Sequence, residues 1–558
     1  MGSATGTGGS RRIRRVSQSS ATPHGPTGVS VVVIAYNDAE LVGDAVRSAL
    51  AQGSAVAEVV AVDDCSSDGT AAVLDQLATT EPRLRVVRRT ENSGGCGTPR
   101  NDGIAAATAP YVMFLDSDDV LPPGAVAALL AAAEEHGTEV TVGRAVRREL
   151  PGGRDVRWQP GLYNEAAVHE SPEAAPELLH DTLCVNKLYR RDFLMNRQLR
   201  FPDGKFVYED FVFTARVYAA APRIAVVPEL VYIWHVRRAA AQVSISLARK
   251  DVGNWQARIA AHTKAVEAFR AADRKGLAAA CRTKFVDYDL CLYLRELRVR
   301  DAGYRADWWR LTREYLATFE AAEVAAAAAP ARWAAKVVLA ADAPRDLDRL
   351  SQLAADPARL IPPYATAAAG PVWADGLDVV LDGLDALPAD RLPVAVDATL
   401  LAGRRGILKL RVHELYGRLA ASGAPASADI EFVPRDGGES ALTVTAPLRA
   451  AEGGWSGQVP VSLARLAAAG GRGTQIWDLR VRLNTGPGRG PHTTLRAKAS
   501  GLRRTAVPGS RYGVLLVQPY RTSSGSLAVR LAPGVQGAFG VVGGKLRRLA
   551  RTVRSRRR

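Results

Sequence analysis

Over roughly the first 240 residues, apolar runs and polar breaks alternate with the beat of strand and helix. VSVVVIAY, from Val29, is a continuous apolar run of the kind that forms a strand covered on both faces. A stretch of helical period follows around Ala39–Ala51, then a second run, AEVVAVDD from Ala57, which leads through CSSDGT into another helical stretch. RLRVVRR from Arg83 and YVMFLD from Tyr111 read as further strands. Strands separated by helices of this length predict an α/β fold, a mostly parallel doubly wound sheet over residues 29–248. The pattern then changes twice. Residues 249–360 show helical periodicity, as in NWQARIAAHTKAVEAFRAADRK from Asn254, and are expected to be a helical linker or oligomerisation region. Residues 375–532 break into short alternating segments such as GILKLRVHELYG and QIWDLRVRLN, separated by turn residues, which predicts a C-terminal β-sandwich-like domain. Trp455, Trp477, Tyr512 and Tyr520 in it could stack on sugar rings, or fill the core.

In doubly wound sheets, ligands bind outside the carboxyl ends of the strands. The polar clusters Tyr36-Asn37-Asp38, Asp63-Asp64 and Asp116-Ser117-Asp118-Asp119 all fall at such ends. Carboxylates this close repel unless a cation lies among them, and hard oxygen ligands suit Mg²⁺ or Mn²⁺. The residue types alone read equally as an acidic cap on a helix opened by Pro122 and Pro123, with Asp119 as the capping residue. A second acidic pair, Glu209-Asp210, opens the apolar-periodic stretch EDFVFTARVY, where a helix N-terminus would keep a carboxylate ionised.

Charge and composition narrow the function classes. The formal charge is +16, but twelve of those charges sit in two tails without a single acid, residues 1–28 and the run KLRRLARTVRSRRR from Lys545. The N-terminal tail, rich in Gly, Ser, Thr and Arg, is expected to be disordered. The body is only mildly basic, so no specific nucleic-acid partner is expected. Leu546, Leu549 and Val553 at helical spacing in the C-terminal tail (residues 540–558) suit peripheral contact with an anionic membrane. The five cysteines form no CxxC pair, and no run of about 20 apolar residues occurs. The expected location is cytoplasmic, at the inner face of the cell membrane. GxSxG, Walker-type and HExxH motifs are absent.

Taken in order, VVVIAYND, VAVDDCSSDGT, ENSGGCGTPRNDGI and YVMFLDSDD make the chain resemble the family 2 inverting glycosyltransferases over about residues 29–245. The resemblance implies a UDP-linked sugar donor, a divalent metal (Mn²⁺ or Mg²⁺) and an acceptor hydroxyl. Tyr36 and Asn37 would border base and ribose, Asp64 would accept from the uracil ring, and Asn92 would belong to the same nucleotide-sugar pocket. Arg100 would face the diphosphate, Asp116 would lie near the ribose, and Asp118 would ligate the metal with His235 as a further ligand. Asp210 would be the general base, with Glu209 beside it orienting the site. Lys187, in NKLYRR, together with Arg237 and Ser244, in the segment that follows Trp234, would contact acceptor or phosphate. The eight-residue step from Asn92 to Arg100 resembles the branch that glycosylates wall teichoic acids, which implies an anionic or polyol-phosphate envelope polymer as acceptor. A homo-oligomer is a further expectation. Two alternatives stay open on the residues alone: a nucleotidyltransferase, although VIAYND has no Gly-rich basic loop, and a non-catalytic polymer- or membrane-surface-binding protein.

Overall fold

The computed structural model describes residues 28–237 and 249–534, apart from residues 404, 436, 472, 487–489, 499–501 and 510–512. Both basic tails, Ser244 and Tyr512 lie outside the described residues. The first strand, β1 (Val29–Ala35), is buried along its whole length, as its unbroken apolar run requires. It pairs in parallel with β2 (Val56–Asp63) on one side and β4 (Tyr111–Asp116) on the other, and β3 (Leu84–Arg88) extends the β2 edge. The intervening helices are α1 (Val42–Leu50), α2 (Thr70–Ala78) and α3 (Gly97–Ala106), followed by α4 (Ala125–His136). This four-strand half is the parallel unit that the sequence pattern predicts.

Beyond β4 the same sheet becomes mixed. It continues with β5 (Val140–Leu150), β6 (Arg154–Arg157), β7 (Ala167–His169), β8 (Lys187–Arg190) and β9 (Ile224–Arg237), in the order β3-β2-β1-β4-β8-β5-β9-β7, with β6 on β5. β8 runs antiparallel between β4 and β5, whereas β5 and β9 are parallel. Two further helices, α5 (Arg191–Asn196) and α6 (Glu209–Ala220), complete this part. One glycine is essential to the packing: a side chain on Gly103 would collide with Val32 of β1, so α3 lies directly on the sheet.

Helices α7 (Val252–Ala271), α8 (Lys275–Lys284), α9 (Cys291–Leu297), α10 (Ala302–Leu316), α11 (Ala321–Ala325), α12 (Ala329–Ala340) and α13 (Leu347–Leu353) follow, with a π-helical turn at Phe285–Leu290. They pack on both neighbours rather than extending between them. Val266, Phe269 and Leu277 join the core of the first sheet. Trp255, Trp308 and Trp333 belong to a core shared with the C-terminal strands. In those strands, Leu442–Ala451 pairs with Ser427–Pro434 through its first half and with Gly454–Val461 through its second, linking two sheets as in a sandwich corner. Trp477 is core, 1% exposed, which leaves it unavailable to a sugar. Tyr520 lies between Arg435 and Arg530. Among the described residues no helix is long and apolar enough to cross a membrane.

Candidate functional site

The register of the central strands places the polar clusters in one row. Ala35 lies opposite Asp63 and Ile34 opposite Asp116, so the β2 and β4 ends stand on either side of β1, two strand spacings or about 10 Å apart. Tyr36, directly after β1, is 47% exposed at this edge. Asn37 turns the chain in a left-handed conformation at φ +55, and its Oδ1 accepts from the Ser67 backbone N–H at 2.8 Å. That side chain therefore fastens the loop after β2. Asp64 is almost fully buried. Its oxygens accept from the Ser93 N–H (3.1 Å) and Oγ (2.8 Å) and the Asn92 amide (3.1 Å), and it forms an ion pair with Arg89, whose Nε lies 2.9 Å away. These donors occupy the carboxylate's lone-pair positions, so a base N–H would have to displace one of them. Asn92 accordingly shapes the pocket through Asp64.

After β4 the four polar residues diverge. Ser117 donates to Asp38, whose carbonyl in turn receives the Leu41 and Val42 N–H groups at the start of α1. Asp119 is buried and accepts from the Tyr232 hydroxyl (2.6 Å) and the His235 N–H (2.7 Å). Asp119 therefore does not cap the next helix. That helix starts six residues later behind Gly124, because β9 supplies the donors that Asp119 needs. Asp118 remains 44% exposed. Partial burial, then the carboxylates of Asp116 and Asp38, push its carboxyl up to about 6, against the pull of Arg237. His235 Nδ1 lies 3.1 Å from the Asp118 carbonyl, and Arg237 reaches that carbonyl at 3.2 Å and the carboxylate at 3.4 Å. Burial holds the His235 pKa down, so the ring is neutral near pH 7.

Arg100 ties this row to the second acidic pair. Its guanidinium is 4% exposed and donates at 2.6 Å both to Asp116 and to Glu209. Arg100 thus bridges two carboxylates. Its geometry is set by α3, whose Gly97 backs on the Pro202 carbonyl so closely that no side chain fits there. Asp210, next along α6, has one hydrogen bond among the described residues, from the N–H of its own neighbour Phe211 at 3.0 Å. Burial and then the adjacent Glu209 push its carboxyl up to about 7, against the pull of Arg100. A carboxylate with that pKa and little to hold its proton can accept one from a substrate near neutral pH.

Comparison with known proteins gives this edge its context. Residues 30–197 match the sequence profile described as Glycosyl transferase family 2. Over these residues the chain is similar to that family. A succinoglycan biosynthesis protein, ExoO, of Rhizobium meliloti is 34% identical over 219 residues, covering 38% of this chain and 61% of its own. The poly(ribitol-phosphate) beta-glucosyltransferase of Bacillus spizizenii is 29% identical over 222 residues, 39% of this chain and 34% of its own. The chain thus spans less than two thirds of the length of these curated relatives. In fold, the crystal structure of Staphylococcus aureus TarS is similar with a TM-score of 0.50 at 18% identity, covering 91% of this chain and 85% of that one. The likeness therefore extends beyond residues 30–197 to the helices and the C-terminal strands.

Within residues 30–197 one expected contact residue is structural. Lys187 is fully buried, and its Nζ bonds the equally buried Asp181 at 2.9 Å. Tyr163, Trp158 and Asn186 also donate to that aspartate, so Lys187 cannot meet an acceptor or a phosphate. Reasoning from sequence missed Ser93 and Arg89 as the partners of Asp64, and Tyr232 as the partner of Asp119. Arg89 carried a weak signal, a basic residue directly at a strand end. Tyr232 carried none, because it meets Asp119 across 113 residues of chain.

Proposed function

We propose that the chain transfers a sugar, with inversion, from a nucleotide-diphospho-sugar to a hydroxyl of a cell-envelope polymer. The observation that carries this reading is Asp210. It is a base poised near neutral pH, joined through Glu209 and Arg100 to Asp116 at the end of a nucleotide-side strand. In the proposed reaction Asp210 takes the acceptor's hydroxyl proton as that oxygen attacks the anomeric carbon from the face opposite the leaving diphosphate. Arg100 holds Asp116 and Glu209 in place, while Tyr36 borders the nucleotide. UDP is the proposed carrier on the family resemblance. An anionic or polyol-phosphate polymer is the proposed acceptor, since the relatives include a poly(ribitol-phosphate) beta-glucosyltransferase and a succinoglycan biosynthesis protein.

Among the described residues no three His, Cys, Asp or Glu side chains are grouped to hold a metal. Asp118 nonetheless fits one ligand position: it is half-exposed and carries excess negative charge from Asp116 and Asp38. His235 is the proposed second ligand, with diphosphate oxygens and water completing the shell, a common arrangement for Mg²⁺. A divalent ion held there supplies charge neutralisation for a leaving nucleoside diphosphate. Arg237, against the same carbonyl as His235, is placed to add positive charge on that side.

The test is a panel of nucleotide sugars scored by thermal shift with and without Mn²⁺, followed by transfer to polyol-phosphate and polysaccharide acceptors. Stabilisation by one UDP-sugar and turnover that depends on Asp210 are the expected results. If the panel produces neither a shift nor turnover, the transferase reading fails and a non-catalytic binding protein takes its place.

A further inference from the structure

Tyr208 immediately precedes the Glu209-Asp210 pair and adopts φ +67 and ψ +38. A bulky residue takes this left-handed conformation only when its surroundings impose it. What imposes it here comes from the helices that follow residue 250. The Tyr208 hydroxyl donates to Asn254 Oδ1 at 2.9 Å, and Tyr293 donates to the same oxygen at 2.5 Å. The Arg258 guanidinium lies 4.9 Å from the ring centres of both Tyr208 and Phe211. Arg258 is itself fixed by Asp289 at 2.6 Å, and Lys284 pairs with the same aspartate at 3.0 Å while resting over the Phe211 ring. Asp210 is thus flanked in the chain by a residue gripped at 208 and another gripped at 211.

Packing alone does not require this chemistry. Ala257 and Ala261 of α7 already lie against Tyr208, Phe211 and Val212 as an apolar cluster. Phenylalanines at 208 and 293 and an aliphatic residue at 254 would fill the same volume with little net loss of stability, because a buried hydrogen bond largely replaces one to water. What the polar trio and the stacked guanidinium add is direction.

We propose that Asn254 and Arg258, on α7, are positioning residues for Asp210. By holding Tyr208 and Phe211 they aim the intervening carboxylates at the acceptor. The inference rests on the reading of Asp210 as the base. It turns the helical region from a linker into part of the catalytic apparatus.

The experiment measures transfer kinetics and donor binding for the full chain and for Asn254→Leu, Tyr208→Phe and the double variant. Each single variant is expected to lower kcat roughly ten- to a hundred-fold, as a small misplacement of a reacting group does, with donor KM and donor-induced thermal shift within about two-fold of wild type. The double variant should fall no further than the worse single, since both changes remove the same bond. Unchanged kcat in Tyr208→Phe, a matching loss of donor affinity, or fully additive losses would each overturn the proposal. Should Asn254→Leu fail to fold, Tyr208→Phe decides alone, since it deletes a single oxygen. An active wild type with unaffected variants sinks this inference only. A wild type inactive with every donor sinks the transferase reading and this inference together.

Discussion

Two charge clusters lie in the part of the chain built on the first sheet, and they are formed on opposite principles. Around Asp181, one carboxylate meets Lys187, Tyr163, Trp158 and Asn186. Burial opposes its ionisation, but Lys187 and the neutral donors hold its carboxyl below the usual range. At the carboxyl edge of the sheet stand Asp38, Asp116, Asp118, Asp119, Glu209 and Asp210, and among the described residues Arg100 pairs with Asp116 and Glu209 and Arg237 with Asp118. There the carboxyls of Asp118, Asp119 and Asp210 are all pushed up, by burial first and then by neighbouring carboxylates: Asp116 and Asp38 for Asp118, Asp118 and Asp116 for Asp119, and Glu209 for Asp210. A saturated cluster is finished and contributes to folding. A cluster with surplus negative charge is a place where a cation or a proton can still be bound. The sequence gives both the same appearance, an acid near a basic residue, and only the count of partners separates them.

The comparison can be broken most directly at Asp210. Asp210→Asn is expected to cut transfer by about a thousand-fold, within the usual span for removing a general base, while donor-induced stabilisation persists. Full transfer in that variant would mean that the surplus charge serves another purpose. The opposite cluster gives the next largest effect. Lys187→Met leaves Asp181 buried without its counter-ion, which should lower unfolding stability by about 3–5 kcal/mol in a denaturant titration. Per folded molecule, its donor KM should not move, and a raised donor KM would return Lys187 to the binding site.

A smaller effect is expected at Asp118. Asp118→Asn, or chelation of divalent ions, should weaken donor binding roughly ten-fold, read as the Mn²⁺-dependent part of the thermal shift. Equal shifts with and without Mn²⁺ would remove the metal from the reading. The smallest effect is one of sign in the pH profiles. Asp210 must be deprotonated to act, so kcat should fall as pH drops below about 7. Because its folded pKa lies above the ordinary 3.8, the folded chain holds a proton there that the unfolded chain has lost, so this group's contribution to stability declines as pH rises from about 4 to 7. Asp181, whose folded pKa is depressed, contributes stability above the ordinary carboxyl range and loses it as pH falls. Melting temperatures of Asp210→Asn and wild type across pH 4 to 8 should converge at the acid end. Parallel curves would show that Asp210 titrates normally.

The parallel half of the sheet and its polar strand ends were legible because each feature is local. An unbroken apolar run such as Val29–Ala35 must be covered on both faces, and the first polar residue after it marks the edge where ligands gather. The acids at 116 and 118 were found in that way, and those at 209 and 210 as an acidic pair opening an apolar-periodic helix. Arg100 was legible as a residue of interest but not as a bridge, since its two partners lie 16 and 109 residues away. Lys187 was expected to contact acceptor or phosphate. Its burial follows from the antiparallel strand β8 slotting between β4 and β5, which no local pattern announced.

By itself, then, the sequence determined the first four strands of the sheet, the helical character of the region after residue 250 and where carboxylates emerge, because hydrophobic period and strand ends are properties of a few consecutive residues. The tertiary structure alone decided which of those carboxylates are satisfied and which are left in excess, and that the helices after residue 250 grip the turn before Asp210. The reason is that burial and charge balance depend on every element packed around a group, and those elements come from distant parts of the chain.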